Sequence, residues 1–161
     1  MGCGKTYWAK KLAHQLCIPT KDLDEEIEQG EKKSIQMLFE EVGENGFRQI
    51  ESVYLKKLLE SNFEGIISCG GGTPCFNEQM SLMKRNGIVF YLKEDFEVLF
   101  DRIHDDKINR PLLANKSDIQ LRSYLFELFQ ARENCYIESD KILNMNQINE
   151  STFAEILIKY V

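Results

Sequence analysis

A phosphate-binding pattern stands at the start of the chain, in the residues Gly2-Cys3-Gly4-Lys5-Thr6. They match the end of the pattern G-x-x-x-x-G-K-[ST]. In such a loop, glycines let backbone N–H groups surround phosphate oxygens, the lysine carries a charge to the β- and γ-phosphates, and the Ser/Thr hydroxyl binds Mg²⁺. We therefore expect these five residues to bind a nucleotide and Thr6 to bind the metal. The first glycine of the pattern, and the strand that normally precedes it, would lie upstream of Met1.

Two carboxylates follow in Asp22-Leu23-Asp24, at the end of a short strand-like run. On extended backbone they project to the same side, and the carboxyl ends of strands face the ligand crevice of a doubly wound fold. One carboxylate could act on the water shell of Mg²⁺, and the other could orient or deprotonate an acceptor hydroxyl. The alternative is an acidic helix start over 22–28, which the helix dipole favours. The spacing alone leaves both interpretations open.

An arginine and a glutamate are three residues apart in Phe47-Arg48-Gln49-Ile50-Glu51, within a predicted helix. The pair is either a surface ion pair of little energetic value or a brace that orients the Arg48 guanidinium toward a carboxylate.

Three glycines, Gly70-Gly71-Gly72, directly follow a short apolar run. Consecutive glycines allow a ligand to approach the backbone closely, so we expect a binding surface there.

Two further arginines lie where they could reach an anion. Arg110 belongs to a polar segment, 103–117, that has no apolar period and is either a solvated connection or a lid. An arginine on a lid can close over a transferring phosphate and stabilise its charge. Arg132 lies late in a long predicted helix, four residues before Tyr136, where the alternative is a solvated helix face.

The spacing of apolar residues predicts the elements that position these groups. Stripes at i, i+3, i+4 and i+7 are typical of amphipathic helices. They indicate helices near 9–16, 35–42, 47–59, 96–103, 117–135 and 153–160. Short apolar runs predict four strands at 18–22, 65–68, 88–92 and 141–143. Strands that alternate with helices indicate β-α-β units, hence an α/β fold with a parallel sheet between helices.

Composition excludes several classes of protein. The chain has 161 residues, which favours one domain, and 43% of them are hydrophobic. The net charge of -6 disfavours a general nucleic-acid binder, and no apolar run approaches the roughly 18 residues of a membrane span. Five cysteines without C-x-x-C spacing are typical of free thiols in a reducing compartment. With no signal peptide visible, we expect a cytoplasmic protein that uses neither nucleic acid nor membrane.

Taken together and in this order, the motifs resemble the shikimate kinase family, small relatives of the nucleoside monophosphate kinases. The resemblance runs from Met1 to about Tyr136. It rests on Gly2-Cys3-Gly4-Lys5-Thr6, Asp22-Leu23-Asp24, Phe47-Arg48-Gln49-Ile50-Glu51, Gly70-Gly71-Gly72-Thr73-Pro74, Arg110-Pro111-Leu112-Leu113, and Arg132 with Tyr136. The family implies a three-layer α/β/α fold of the P-loop NTPase type, with a parallel sheet in the order 2-3-1-4-5. Because its first strand would lie upstream of Met1, we expect the native protein to begin earlier.

The resemblance also implies an activity and roles for residues. The family transfers the γ-phosphoryl group of ATP to the 3-hydroxyl of shikimate, with Mg²⁺, on the route to chorismate and the aromatic amino acids. It implies that Lys5 and Arg110 act on the phosphates, that Asp24 is the base, and that Thr6 and Asp22 serve the metal. The residues that it implies for shikimate are Asp24, Arg48, Gly70, Gly71, Gly72 and Arg132.

The expected organisation is one monomeric domain over 1–161. A lid would occupy about 104–117 and a substrate-binding region about 23–60. Two alternatives stay open at this point: a non-catalytic protein of the same fold that binds a ligand, and another small-molecule P-loop kinase whose acceptor carries a carboxylate.

Overall fold

The computed structural model describes residues 2–105, 113 and 116–159. Within them, helices alternate with short strands. The helices are α1 Lys5–Leu16, α2 Leu23–Glu31, α3 Ile35–Glu60, α4 Gln79–Asn86, α5 Phe96–Asp105, α6 Asp118–Tyr136 and α7 Glu150–Ile158. The strands are β1 Thr20–Asp22, β2 Ile66–Ser68, β3 Phe90–Lys93 and β4 Lys141–Asn144, and 3₁₀ turns lie at Thr73–Cys75 and Met145–Gln147.

The strands form two parallel pairs. β1 pairs with β2, with Thr20 opposite Ile66, and β3 pairs with β4, with Phe90 opposite Lys141. Among the described residues, β2 and β3 therefore each have a strand partner on one edge only. A cavity of about 930 Å³ is lined by residues of both strands and by side chains of α1 and α5.

Alternation along β2 shows that helices cover both faces of the first strand pair. Ile66 packs against the cluster that contains Leu12 of α1 and Phe153 of α7, whereas its neighbour Ile67 packs against the cluster that contains Leu55 of α3. Because successive side chains of a strand point to opposite faces, α1 and α7 lie on one face and α3 on the other. The expected three-layer α/β/α arrangement is confirmed, and so is the parallel pairing.

Several elements differ from those predicted from periodicity, among them α2, which no apolar stripe predicted. One helix, α3, runs over both predicted segments 35–42 and 47–59, with a single break at Gly43, whose φ is 67° and ψ −178°. The helix α4 was not predicted, because Met80 is the only apolar side chain among its buried residues. The last strand extends one residue further than expected, to Asn144. In the part of the chain that the structure describes, no helix has the length and apolar character of a membrane span.

Candidate active site

The predicted phosphate loop leads directly into a helix. Gly4 is the N-cap of α1 and has a φ of 80° and a ψ of 20°, a conformation that glycine adopts without strain. The helix therefore begins at Lys5, and its N-terminal dipole and free N–H groups face the loop. Arg102 of α5 donates a hydrogen bond from Nη1 to the carbonyl oxygen of Gly2 at 3.1 Å. This contact fixes the first residue of the loop to the neighbouring helix.

Thr6 and Asp22, the two predicted metal residues, are in contact. The Thr6 hydroxyl donates to Oδ2 of Asp22 at 2.9 Å, and it lies 3.4 Å from the hydroxyl of Ser68 at the end of β2. Asp22 is buried and caps α2, because its Oδ1 accepts a hydrogen bond from the N–H of Asp24 at 3.0 Å. Asp22 therefore starts a helix and also contacts Thr6 of the phosphate loop, while the chemical roles of Asp22 and Asp24 stay predictions.

Asp24 lies in the first turn of α2, beside the glycine segment. Oδ1 of Asp24 is 3.4 Å from the position that a Cβ on Gly70 would take. Burial raises the pKa of the Asp24 carboxyl, and the negative charges of Asp22 and Glu51 raise it further, whereas the charge of Lys5 lowers it. A carboxylate with a raised pKa beside a lysine is suited to accept a proton near neutral pH.

Arg48 is buried and bound on one side by a second buried charge. Its Nη1 donates to Oε2 of Glu51 at 2.8 Å, and the Thr73 hydroxyl donates to Oε1 of the same glutamate at 2.6 Å. Glu51 is only 2% exposed, and each of its two carboxylate oxygens accepts one of these hydrogen bonds. The i, i+3 spacing left a surface ion pair and a brace open, and the structure shows that the pair is buried.

The glycine segment closes tightly around these side chains. A Cβ on Gly72 would overlap the guanidinium of Arg48, so only glycine lets the backbone pass there. The carbonyl of Gly71 accepts a hydrogen bond from the hydroxyl of Tyr136 at 2.5 Å. Burial raises the pKa of Tyr136 to about 12, although the charge of Arg132 lowers it, so its hydroxyl remains a donor. Lys5, Gly70, Gly71 and Arg132 line the same cavity.

Comparison with known proteins decides the family. A family model for shikimate kinase matches residues 1–161. The chain belongs to the shikimate kinase family. A shikimate kinase from Phocaeicola vulgatus is 38% identical over 151 residues, which cover 93% of this chain and 85% of that protein. One from Bacteroides fragilis is 39% identical over 160 residues, which cover 99% of this chain and 88% of that protein.

Solved structures of shikimate kinases have the same fold. The enzyme from Bacteroides thetaiotaomicron matches with a TM-score of 0.86 at 34% identity, over 99% of this chain and 90% of that one. The enzyme from Acinetobacter baumannii in complex with shikimate matches with a TM-score of 0.85 at 32% identity, over 99% and 87%. The strand pairs β1–β2 and β3–β4 are consistent with strands 2-3 and 4-5 of the order 2-3-1-4-5.

The predicted site residues fall into three groups. The residues predicted for the acceptor lie around the glycine segment. Those predicted for the nucleotide at 2–6 form the loop before α1 and the start of that helix. Arg110 and most of the predicted lid at 104–117 lie outside the described residues. Sequence reasoning missed two hydrogen bonds in the candidate site, that of Tyr136 with Gly71 and that of Thr73 with Glu51. The motif positions of Tyr136 and Thr73 were visible in the sequence, but spacing carries no signal for contacts across 65 and 22 residues.

The donor set near Thr6 fits a magnesium ion. It consists of a threonine hydroxyl, a carboxylate and the serine hydroxyl of Ser68, all hard oxygen ligands of the kind that Mg²⁺ prefers. Because Thr6 donates its proton to Asp22, the lone pairs of its oxygen are left for a cation. Among the described residues, no group of three or more His, Cys, Asp or Glu side chains could hold a metal by itself. Such a sparse protein donor set is usual where phosphates and water supply the remaining ligands.

Proposed function

We propose that this chain transfers the γ-phosphoryl group of ATP to the 3-hydroxyl of shikimate and releases ADP. Membership of the shikimate kinase family supports the reaction, and one observation supports the acceptor most directly. The buried guanidinium of Arg48 is braced by Glu51 and lies against Gly72, and the carboxylate of Asp24 lies against Gly70 of the same glycine segment. A ligand that carries both a carboxylate and hydroxyls matches this arrangement, because arginine pairs with carboxylates and aspartate accepts from hydroxyls.

The phosphate side of the site has a separate set of roles. Backbone N–H groups of residues 2–6 bind the phosphate oxygens, and Lys5 places its charge on the β- and γ-phosphates. Thr6 and Asp22 would hold Mg²⁺, Thr6 by its hydroxyl and Asp22 through the water shell. The bound Mg²⁺ would neutralise charge on the phosphates and orient them for in-line transfer. We propose that Arg110 is the lid arginine that acts on the phosphates.

The acceptor side positions and activates the hydroxyl. Asp24 accepts the proton of the shikimate 3-hydroxyl as the oxygen attacks phosphorus, and its raised pKa suits that role. Arg48 and Arg132 bind the shikimate carboxylate, while Gly70, Gly71 and Gly72 allow the ring to lie against the backbone. Most of the catalytic contribution is positioning and charge stabilisation, as phosphoryl transfer requires.

The experiment is the release of ADP from Mg-ATP by this chain, with and without shikimate. We expect ADP only when shikimate is present. ADP release without shikimate would contradict acceptor-coupled transfer. ATP binding without any turnover would favour the alternative of a non-catalytic binding protein with this fold.

A variant ties the activity to the site. Arg48→Ala should raise the KM for shikimate much more than the KM for ATP, because it removes a carboxylate partner. Arg122→Ala is the matched control, since Arg122 is exposed and pairs with Glu97 on the surface. Equal loss of affinity for both substrates in Arg48→Ala would indicate damage to the fold instead.

We also propose a monomer located in the cytoplasm that binds neither nucleic acid nor membrane. The excess of acidic residues, 26 against 20 basic ones, supports the absence of nucleic-acid binding. The five cysteines are all free thiols in the structure, which is usual in a reducing compartment.

A further inference from the structure

The guanidinium of Arg48 is held by two glutamates of very different character. Glu51 binds Nη1 at 2.8 Å and is 2% exposed. Glu44 accepts from Nη2 at 3.3 Å, and its side chain is 53% exposed. The Nε atom of Arg48 is buried and has no hydrogen-bond partner in the described part of the chain. One glutamate is therefore a fixed part of the interior, and the other reaches the same cation from solvent.

The other sides of the guanidinium are closed. Gly72 passes so close to it that a Cβ there would overlap the group. The rings of Phe39, Phe47 and Phe76 surround it, with centroids 5.8, 5.3 and 4.8 Å from Cζ. Glu51 occupies Nη1. Because the side chain of Glu44 is exposed to solvent, another carboxylate can reach Nη2 of Arg48 from the side where Glu44 lies.

The backbone before Glu44 breaks the helix. Gly43 breaks α3 with a φ of 67° and a ψ of −178°, a combination that is essentially restricted to glycine, and a Cβ there would meet no atom within 4 Å. Glu44 is the first residue after that break, so it lies at the start of the second helical segment. A glutamate at this position is stabilised by the helix dipole even when it does not touch Arg48.

We propose that Glu44 is an internal competitor, a carboxylate that occupies Nη2 of Arg48 until the carboxylate of the acceptor displaces it. This inference rests on the proposed function and refines it, because it names a residue that sets the affinity for the acceptor. Glu44 keeps the fork of Arg48 hydrogen-bonded in the free protein, and substrate binding breaks that bond. The intrinsic affinity of Arg48 for the acceptor carboxylate is thus reduced by the strength of its contact with Glu44.

The test is calorimetric titration of shikimate into the full chain and into three variants. Glu44→Gln removes the competing charge. Glu44→Asp keeps the charge but is one methylene shorter, so its oxygens no longer reach Nη2. Glu41→Gln is the matched control, because Glu41 lies on the same helix, is also 53% exposed and pairs with Lys33 rather than Arg48.

We expect Glu44→Gln and Glu44→Asp to lower the Kd for shikimate by about two- to fivefold, the range of a partly exposed ion pair. Glu41→Gln should leave the Kd unchanged, and the Kd for ATP should not change in any variant. Tighter binding in Glu44→Gln alone would show general charge repulsion and would overturn the proposal. An unchanged or higher Kd in Glu44→Gln would overturn it too, the latter because Glu44 would then be a brace.

Shikimate binding by the wild type distinguishes failure of this inference from failure of the proposed function. Shikimate binding by the wild type, with the same Kd in both Glu44 variants, would contradict the inference and leave the proposed function intact. No shikimate binding by the wild type or by any variant would contradict the proposed function, and the inference would be rejected with it.

Discussion

The two sides of the proposed site are built differently. On the acceptor side, side chains form hydrogen bonds with one another. On the phosphate side, the proposed binding groups are backbone N–H groups of residues 2–6. Arg48, Glu51 and Thr73 form a buried chain of hydrogen bonds of 2.8 and 2.6 Å. The phosphate loop is held by a main-chain bond from Trp8 to Gly4 and by Arg102 on the carbonyl of Gly2.

This difference predicts which residue changes affect the stability of the fold and which affect ligand binding. A buried side-chain network contributes to folding and to ligand geometry at once, since removing one member leaves its partner buried without a hydrogen bond. A loop whose binding groups are N–H atoms depends on backbone conformation, which side-chain changes nearby alter little. We therefore expect changes on the acceptor side to affect the free energy of unfolding, and changes on the phosphate side to affect mainly the affinity for nucleotide.

The strongest test of this comparison is Asp24, which lies between the two sides. Asp24→Asn should lower kcat by about 10²- to 10⁴-fold, the usual contribution of a general base. The affinity for Mg-ATP should be retained, because the loop and Thr6 are unchanged. Steady-state kinetics gives kcat, and fluorescence titration of Trp8, the single tryptophan, gives nucleotide binding. Turnover at the wild-type rate would remove Asp24 from the mechanism.

The next largest effect is expected at Glu51. Glu51→Gln removes the buried charge partner of the Arg48 guanidinium, which keeps only the exposed Glu44, and should lower the free energy of unfolding by about 3–5 kcal/mol. Urea denaturation measures the change. The control is Glu25→Gln, because Glu25 pairs with Lys10 at 2.9 Å on the surface and should cost no more than about 1 kcal/mol. Equal losses in both variants would show that the network is not specially stabilising.

Asp24 also predicts a pH dependence. Burial raises the pKa of its carboxyl, so kcat/KM should fall on acidification at a higher pH than for an ordinary aspartate. The contribution of Asp24 to stability is present below its ordinary pKa and is lost as pH rises through the raised value. Asp24→Asn should therefore be at least as stable as the wild type at pH 7, the opposite of Glu51→Gln. Loss of stability in Asp24→Asn would contradict this sign; pH–rate profiles and thermal melts supply both measurements.

A smaller effect is expected from Tyr136, which holds the glycine segment. Tyr136→Phe removes the hydrogen bond to the carbonyl of Gly71, worth about 1 kcal/mol. The KM for shikimate should rise several-fold and the KM for ATP should not change. Tyr124→Phe, an exposed ring on the same helix, is the control and should leave both values as they are. A larger effect on ATP would place Tyr136 on the phosphate side.

Local patterns predicted the elements well, because they reflect short-range physics. The stripe at Phe96, Leu99, Phe100 and Ile103 gave α5, and the glycines at 70–72 marked the turn after β2. The helix α4 was missed because its sequence, QMSLMKRN, is mostly polar and buries Gln79 beside Met80. The Gln79 amide donates to the hydroxyl of Ser52, a contact that spacing could not indicate.

The sequence indicated which residues could form the candidate site, but it did not indicate most of their contacts. The pairing of Arg48 with Glu51 follows from helical spacing. The contact of Arg48 with Glu44 also has helical spacing, but the break at Gly43 just before Glu44 shows only in the backbone conformation. The link of Thr73 to Glu51 depends on how α3 packs against the turn Thr73–Cys75, which no local pattern determines.

Among the described residues, β2 and β3 each have one edge without a neighbouring strand, and we expect these edges to affect how the chain behaves at high concentration. A strand edge that lacks a neighbour is a template for pairing with another molecule. The cavity between these strands adds apolar surface from Trp8, Phe90 and Phe129 to that template. We therefore expect aggregation of the chain to increase with concentration, and an extended apolar segment seated between β2 and β3 to suppress it, as light scattering would measure.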